Sequence, residues 1–274
     1  MLDYTKLLPK HNEKYVGEND LFLEIYQGKA AQESEKCKPP LLFVHGAFTG
    51  SWMWSKYIPH FINQGFPCYV MNMRGHYKSR SVDMTQITLE NYVHDVEEII
   101  AECGQTPILI GFSMGGMVCQ KVAEINAIAG LVLIDSSISK EVNEKVPYLN
   151  PSEEKLGLVM PAPIRDEESS IDESLADILF QRKYLSMESP KALGAIACWI
   201  KGKEGMSVDY SLITCPCLVV KAVQCANDDK QGKATADYLR AEYHGLWGTT
   251  HTGLLVGQRY GEVIDRVLGW LEKW

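Results

Sequence analysis

The run Gly111-Phe112-Ser113-Met114-Gly115-Gly116 offers a hydroxyl with glycine two positions away on each side. The apolar Pro107-Ile108-Leu109-Ile110 precedes it and reads as a buried strand, and a helix-like run from Met117 to Ile128 follows. Gly-x-Ser-x-Gly between a strand and a helix is the setting of a nucleophilic serine. The glycines have a steric reason. Side chains there would collide with the strand and the helix, and the sharp turn holds the serine in a strained backbone conformation. The hydroxyl then stands at the C-terminal edge of a sheet, beside the positive end of a helix. Without partners, the same pattern would be an ordinary turn whose serine caps a helix.

A serine nucleophile needs a base, a pocket for the developing anion and, usually, an acid that orients the base. His251 is the candidate base. It lies in the loop Thr249-Thr250-His251-Thr252-Gly253, after a short strand expected near Leu246-Trp247, in the last place of a Ser…Asp…His order. The other histidines fit less well. His11 is near the terminus, His60 and His94 fall on helices, and His244 sits where a strand begins. His45 and His76 belong to glycine-containing turns and are expected to brace loops through hydrogen bonds.

The elements that must position these residues alternate. A hairpin is expected over residues 14–28, then a polar surface loop over 29–40. Leu41-Leu42-Phe43-Val44 and Leu131-Val132-Leu133-Ile134 are continuous apolar runs, as in strands buried on both faces, and Pro67 to Met73 is a further strand. Helices are expected from Ser51 to Gln64, ending at Gly65, and along Leu89, Tyr92, Val93, Val96, Ile99 and Cys103, ending at Gly104. This alternation predicts an α/β fold: a mostly parallel central sheet with helices on both faces.

From residue 136 to 210 the pattern changes to an acidic, proline-punctuated stretch with no strand signal. Two amphipathic helices are expected there. One carries Ile171, Leu175, Ile178 and Leu179, with Ser170 and Glu173 as a capping box; the other opens at Ser189-Pro190 and carries Leu193, Ile196, Trp199 and Ile200. The expected domains are therefore a core over 1–135 and 211–274 and an inserted helical cap over 136–210. The core resumes with a strand at Cys217-Leu218-Val219-Val220, a helix from about Gly232 to Tyr243, and a last helix with Val263, Ile264, Val267, Leu268 and Leu271 on one face.

Bulk properties narrow the function. The chain has 274 residues, 46% hydrophobic and 23% charged, which suits one large α/β domain with an insertion. Net charge is −8 with no basic block, so nucleic acid is not an expected partner. No apolar run is long enough to span a bilayer, and Met1 to Lys6 lacks the layout of a signal peptide. A cytoplasmic protein with reduced cysteines is expected. Of its eight cysteines, Cys68, Cys119, Cys198 and Cys217 sit in apolar segments as small core residues, and Cys37, Cys103, Cys215 and Cys225 complete the set. Cys215-Pro216-Cys217 is too tightly spaced for a zinc knuckle, and neither metal nor organic cofactor is expected.

His45-Gly46-Ala47-Phe48, Arg74-Gly75-His76-x-x-Ser79, the Gly111–Gly116 turn and the late His251 together resemble the α/β-hydrolase superfamily. With Trp52 and Trp54, the first of these looks like its capped bacterial esterase and lysophospholipase-like branch. The resemblance covers the core strands and leaves 136–210 unmatched. It implies an oxyanion hole from the N–H groups of Ala47 and Met114, which would also converge beside Ser113 on physical grounds. Phe48 and Trp199 are the expected pocket residues. The acid departs from the family pattern. Where the resemblance places an aspartate after the Cys217–Val220 strand, the chain has Ala222-Val223-Gln224-Cys225. A second family arrangement points to Asp135, after Leu131–Ile134; Asp228 and then Asp229 are the alternatives. A neutral thiol at Cys225 cannot replace a carboxylate.

The expected activity is a serine hydrolase, carboxylesterase-like, that cleaves a small hydrophobic ester or thioester through a Ser-His-Asp triad and an acyl-enzyme. Epoxide hydrolases and dehalogenases of similar fold need a carboxylate nucleophile, which Ser113 is not. Carbon–carbon bond hydrolysis or a lyase reaction on the same triad remains open, as does a non-catalytic ligand-binding protein on a degraded hydrolase fold, for which Cys225 is the motive. The oligomeric state, a homodimer included, is left open.

Overall fold

The computed structural model describes residues 2–29, 38–168 and 170–274. Most of the loop expected over 29–40, and Cys37 with it, lies outside them. In chain order the elements are β1 (Asn12–Val16), β2 (Leu21–Tyr26), β3 (Leu41–Val44), α1 (Ile58–Asn63), β4 (Cys68–Met71), α2 (Leu89–Ile100), β5 (Ile108–Phe112), α3 (Met114–Ile125) and β6 (Gly130–Ile134). There follow α4 (Lys140–Lys145), α5 (Leu175–Tyr184), α6 (Pro190–Ile196), β7 (Cys217–Val223), α7 (Ala226–Leu239), β8 (Glu242–Trp247), α8 (Gly253–Val256) and α9 (Tyr260–Leu271).

Among the described residues the strands form one eight-stranded sheet, in the order β1-β2-β4-β3-β5-β6-β7-β8. Neighbours from β4 across to β8 run parallel. The N-terminal hairpin adds an antiparallel edge through β2. The central strands β3, β5 and β6 are buried along their whole length, because helices cover both faces. Alternate residues divide between two cores. Leu42, Val44, Leu109, Leu131 and Leu133 join the buried faces of α2 and α3, while Leu41, Phe43, Ile108, Ile110, Val132 and Ile134 join those of α1 and α9. This is the mostly parallel sheet with helices on both faces expected from the alternating runs.

The strand order reverses between β3 and β5. From β3 the chain moves to β4 on one side, and β5 lies on the other. At such a switch point the loops leaving the strand ends part and open a crevice. Val44 pairs with Gly111, which brings the loops after β3 and β5 together. A Cβ added to Gly46 would stand 2.9 Å from Ser113 Cβ, and one on Gly115 would stand 2.2 Å from the His45 carbonyl oxygen. Both glycines are therefore required by close approach rather than by flexibility.

Several boundaries differ from expectation. The helix expected over Ser51–Gln64 divides into a 3-10 turn at Ser51–Trp54 and α1, with Pro59 in the first turn of α1, where no N–H is needed. Helix α7 begins at Ala226 rather than near Gly232, because Asp228 accepts the N–H groups of Gln224 and Cys225 and caps it. The last strand runs from Glu242 rather than only near Leu246. In the segment 136–210 no strand is present among the described residues. Its first long helix, α5, starts at Leu175 with Ser174 and Asp177 as the capping box, so Ile171 lies outside it, 71% exposed. Ser170 and Glu173 are bonded to each other but cap no helix, since Glu173 is used elsewhere. Ser189 caps α6 as expected, and α6 ends at Ile196, before Trp199. No helix is long and apolar enough to cross a membrane among the described residues.

Candidate active site

Ser113 is held between β5 and α3 with φ 54° and ψ −121°, a conformation an L-residue adopts only when its surroundings enforce it. Its N–H donates to Ile134 O at 3.2 Å, and its carbonyl accepts from Gly116 and Ser137, each at 3.0 Å. The turn is thus fastened both to its helix and to the end of β6. Asp135, the next residue after β6, is also left-handed, at φ 42°. Its N–H donates to Val220 O at 2.7 Å, so β7 pins it. Phe48, after β3, is left-handed as well, at φ 65°. All three line one cavity of about 410 Å³, together with Ala47, Phe112, His251, Lys221, Tyr148 and Trp199.

His251 occupies the turn between β8 and α8. Its ring stacks on Phe112, the residue before Ser113, at a centroid separation of 4.5 Å and 26° between planes. Nδ1 lies 2.5 Å from Asp135 Oδ2. The other carboxylate oxygen, Oδ1, lies 2.6 Å from Lys221 Nζ, a lysine that projects from the middle of β7. Burial pushes the Asp135 carboxyl up, but the Lys221 and His251 partners outweigh it and hold the group well below the usual carboxylate range. Burial lowers the Lys221 ammonium, and Asp135 reverses that to a net rise. The pair is therefore ionised together.

The residues singled out from sequence divide cleanly. Ser113, His251, Asp135, Ala47, Phe48 and Trp199 meet at the cavity. Met114 opens α3, so its N–H belongs to the first turn, where N–H groups find no carbonyl within the helix. Asp228 does not join His251: its Oδ2 is 2.9 Å from both Gln224 N and Cys225 N. Asp229 is bonded to Tyr243 and Lys233 instead. Cys225 is exposed at the start of α7.

His45 and His76 brace loops, as expected. His45 Nδ1 donates to Gly46 O and Nε2 accepts Met73 N–H, so the ring is neutral; burial lowers its pKa to about 3, with the neighbouring His76 adding to the effect. His76 faces acceptors on both nitrogens, the Arg74 carbonyl and Glu188 Oε2, each at 3.0 Å. Burial lowers its pKa, and Glu188 more than restores it, to a net rise.

Lys221, Tyr148 and Arg165 also line the cavity, and Asp172, Glu173 and Glu188 are buried; the sequence pattern marked none of them for the site. A lysine inside an otherwise apolar strand was the one available signal. Among the described residues a three-ligand cluster, His11, Glu13 and Glu24, occurs only in the N-terminal hairpin region, away from the cavity lining. There Glu24, with Glu13, raises the His11 pKa to about 9, and Lys78 pairs with Glu13, which makes an ion-pair cluster.

Residues 39–158 match the family model of the alpha/beta hydrolase fold. No curated protein matches the chain in sequence. Solved structures match it in fold. A thermophilic esterase from Thermogutta terrifontis is 19% identical with TM-score 0.64, over 97% of this chain and 99% of its own. MenH from S. aureus is 16% identical with TM-score 0.65, over 92% and 98%. Carboxylesterase CesB from Bacillus subtilis is 17% identical with TM-score 0.65, over 99% and 95%. With its strand order, its β5–turn–α3 junction and the matched model, the chain is an α/β-hydrolase-fold protein.

Proposed function

We propose that the protein is a serine hydrolase acting on a small, largely apolar carboxylic ester or thioester, with Ser113, His251 and Asp135 as the triad. The observation that carries this reading is the placement of His251. Its Nδ1 is bonded to a buried, ionised Asp135, and its ring stacks on the residue preceding a conformationally strained Ser113. An aspartate on Nδ1 fixes the tautomer that leaves Nε2 free to accept a proton.

In the mechanism, His251 Nε2 takes the Ser113 proton as Oγ attacks the carbonyl carbon. The charge that develops on the carbonyl oxygen is met by the N–H groups of Ala47 and Met114. His251 then hands its proton to the leaving alcohol or thiol as the carbonyl–heteroatom bond breaks. A water deprotonated by the same imidazole releases the acid and restores Ser113. Lys221 has a supporting part: it keeps Asp135 ionised, so the imidazolium formed at each step always has a charged partner.

The segment 136–210 serves as a helical cap. Tyr148, Pro163, Arg165, Leu193, Ile196 and Trp199 come from it and form the wall facing Ala47, Ser113 and His251. A cavity of about 410 Å³ suits a small molecule. The deciding experiment uses Ser113→Ala with a series of p-nitrophenyl esters and acyl thioesters, together with a fluorophosphonate probe. Turnover should fall by at least about 10³-fold and labelling should vanish. A variant that keeps most of its activity would reject the reading.

A further inference from the structure

Helix α5 is flanked by acids that leave the cap and enter the core. Before it, Asp172 and Glu173 are 3% and 2% exposed; after it, Glu188 is fully buried. Each is held by loops that carry the site. Asp172 takes the Thr249 hydroxyl, the Thr250 N–H at 3.1 Å and the Thr250 hydroxyl at 2.7 Å. Its carbonyl accepts Gln258 N–H at 2.7 Å. Glu173 takes the Thr252 hydroxyl at 2.8 Å, and its other oxygen lies 3.1 Å from that of Thr250. The residues on both sides of His251 are therefore tied to one dipeptide of the cap. At the other end, Glu188 Oε2 accepts the N–H of Phe48 at 3.1 Å and His76 Nε2 at 3.0 Å. Its Oε1 accepts the Tyr92 hydroxyl and the Ser189 N–H, each at 2.6 Å. The Phe48 carbonyl is caught by Ser186 N–H at 2.9 Å.

We propose that Asp172, Glu173 and Glu188 are positioning residues, and that α5 with its acidic ends is a strap setting the distance between the loop of His251 and the loop of Ala47. This rests on the hydrolase reading above. The strap is anchored along its length, because Phe180 and Tyr184 pack on Trp52 and Asp177 pairs with Lys56. Burying three carboxylates at this depth is costly unless each is fully paired. The two site loops supply all the side-chain partners of Asp172 and part of those of the other two, with Arg165 and Gln181 completing Glu173 and His76, Tyr92 and Ser189 completing Glu188. Phe48 needs such a hold. Its left-handed conformation is unfavourable for a bulky residue, and Glu188 on its N–H and Ser186 on its carbonyl fix the peptide next to Ala47. The part of the cap from Asp172 to Glu188 is thus one with the catalytic framework rather than a lid over it.

The test compares Glu188→Gln, Asp172→Asn and Gly253→Ala with wild type, using p-nitrophenyl butyrate turnover, phosphonate labelling rate and melting temperature. Glu188→Gln keeps the shape but replaces one acceptor oxygen with an NH2 group that faces donors. Gly253→Ala alters no acid, yet its new Cβ would lie 2.1 Å from the Asp172 carboxylate and must push it aside. It therefore probes the strap even if an acid variant does not fold. At a temperature where every variant is folded, kcat and labelling should fall about 10- to 100-fold with KM within about threefold, as for sub-ångström misplacement of reacting groups. Glu141→Gln, which removes one of the two acceptor oxygens that hold Val208 and Ser207 away from the site, should lower the melting temperature and leave kcat unchanged. Folded Glu188→Gln and Gly253→Ala proteins with full kcat overturn the strap. Wild type inert to both ester and phosphonate overturns the hydrolase reading, and the strap with it.

Discussion

Lys221 Nζ lies 2.6 Å from Asp135 Oδ1, the carboxylate oxygen that His251 does not use. The acid is thus gripped from two sides, and its lowered pKa makes the grip pH-dependent. A carboxyl with a depressed folded-state pKa adds stability above its unfolded value, about 3.9, and loses it as pH falls toward the folded value. In Lys221→Met the larger of the two causes of the depression is gone, and His251 alone remains against burial. The variant should be less stable by about 3 kcal/mol near neutral pH, as when one partner of a buried pair is removed. The gap should close as pH drops below about 4. Melting curves of both proteins from pH 3 to 8 check this, and a gap independent of pH would refute it.

Asp135 and Asp228 make opposite predictions. Asp135→Asn should fold but favour the wrong imidazole tautomer, lowering kcat by about 10²- to 10⁴-fold. Asp228→Ala should leave kcat within about twofold and cost about 1 kcal/mol, the usual loss of a helix cap. Urea melts and ester kinetics on the two variants separate the roles, and a swap of the two outcomes would move the acid to the loop after β7.

What the sequence revealed, and what it hid, follows from range. The sheet was readable because β3, β5 and β6 are buried on both faces and so carry unbroken apolar runs. That Ser113 and His251 come to one cavity was readable because local turn chemistry and chain order marked them. From sequence Asp228 was open to a catalytic use or to an exposed turn before a helix, and the start of α7 at Ala226 reveals a capping contact instead. Asp172 and Glu188 look like solvent-facing charges in an acidic segment, and Glu173 like half of a helix cap. Their partners in the two site loops lie 77 to 140 positions away in sequence, which no local pattern encodes.

Gly115 tests whether the turn glycines serve packing. The Cβ of Gly115→Ala would meet two carbonyl oxygens of the chain leaving β3, 2.2 Å from His45 O and 2.5 Å from Val44 O. Backbone cannot swing away as a side chain can, so α3 and β3 must separate. A loss of about 3 kcal/mol, or failure to fold, is expected. Gly261→Ala, where a Cβ on α9 meets nothing within 4 Å, should gain roughly 0.5–1 kcal/mol. Equal stability of the two variants would show that close approach at Gly115 is not limiting.

Trp199 tests the pocket. It follows α6, lines the cavity and packs against the core that contains Leu193 and Ile196. Its carbonyl accepts Ser152 N–H at 2.7 Å, so the backbone is held independently of the indole. Trp199→Ala should therefore remove wall without moving it. The space gained admits a longer acyl chain, while short chains lose apolar contact, worth about 0.8 kcal/mol for each methylene left uncovered. Across p-nitrophenyl acetate to octanoate, the optimum in kcat/KM should shift by two or more carbons toward longer esters, with roughly tenfold loss on the shortest. An unchanged chain-length profile in a protein of lower melting temperature would assign the indole to packing within the cap, and Leu193 and Ile196 would then be the next walls to cut back.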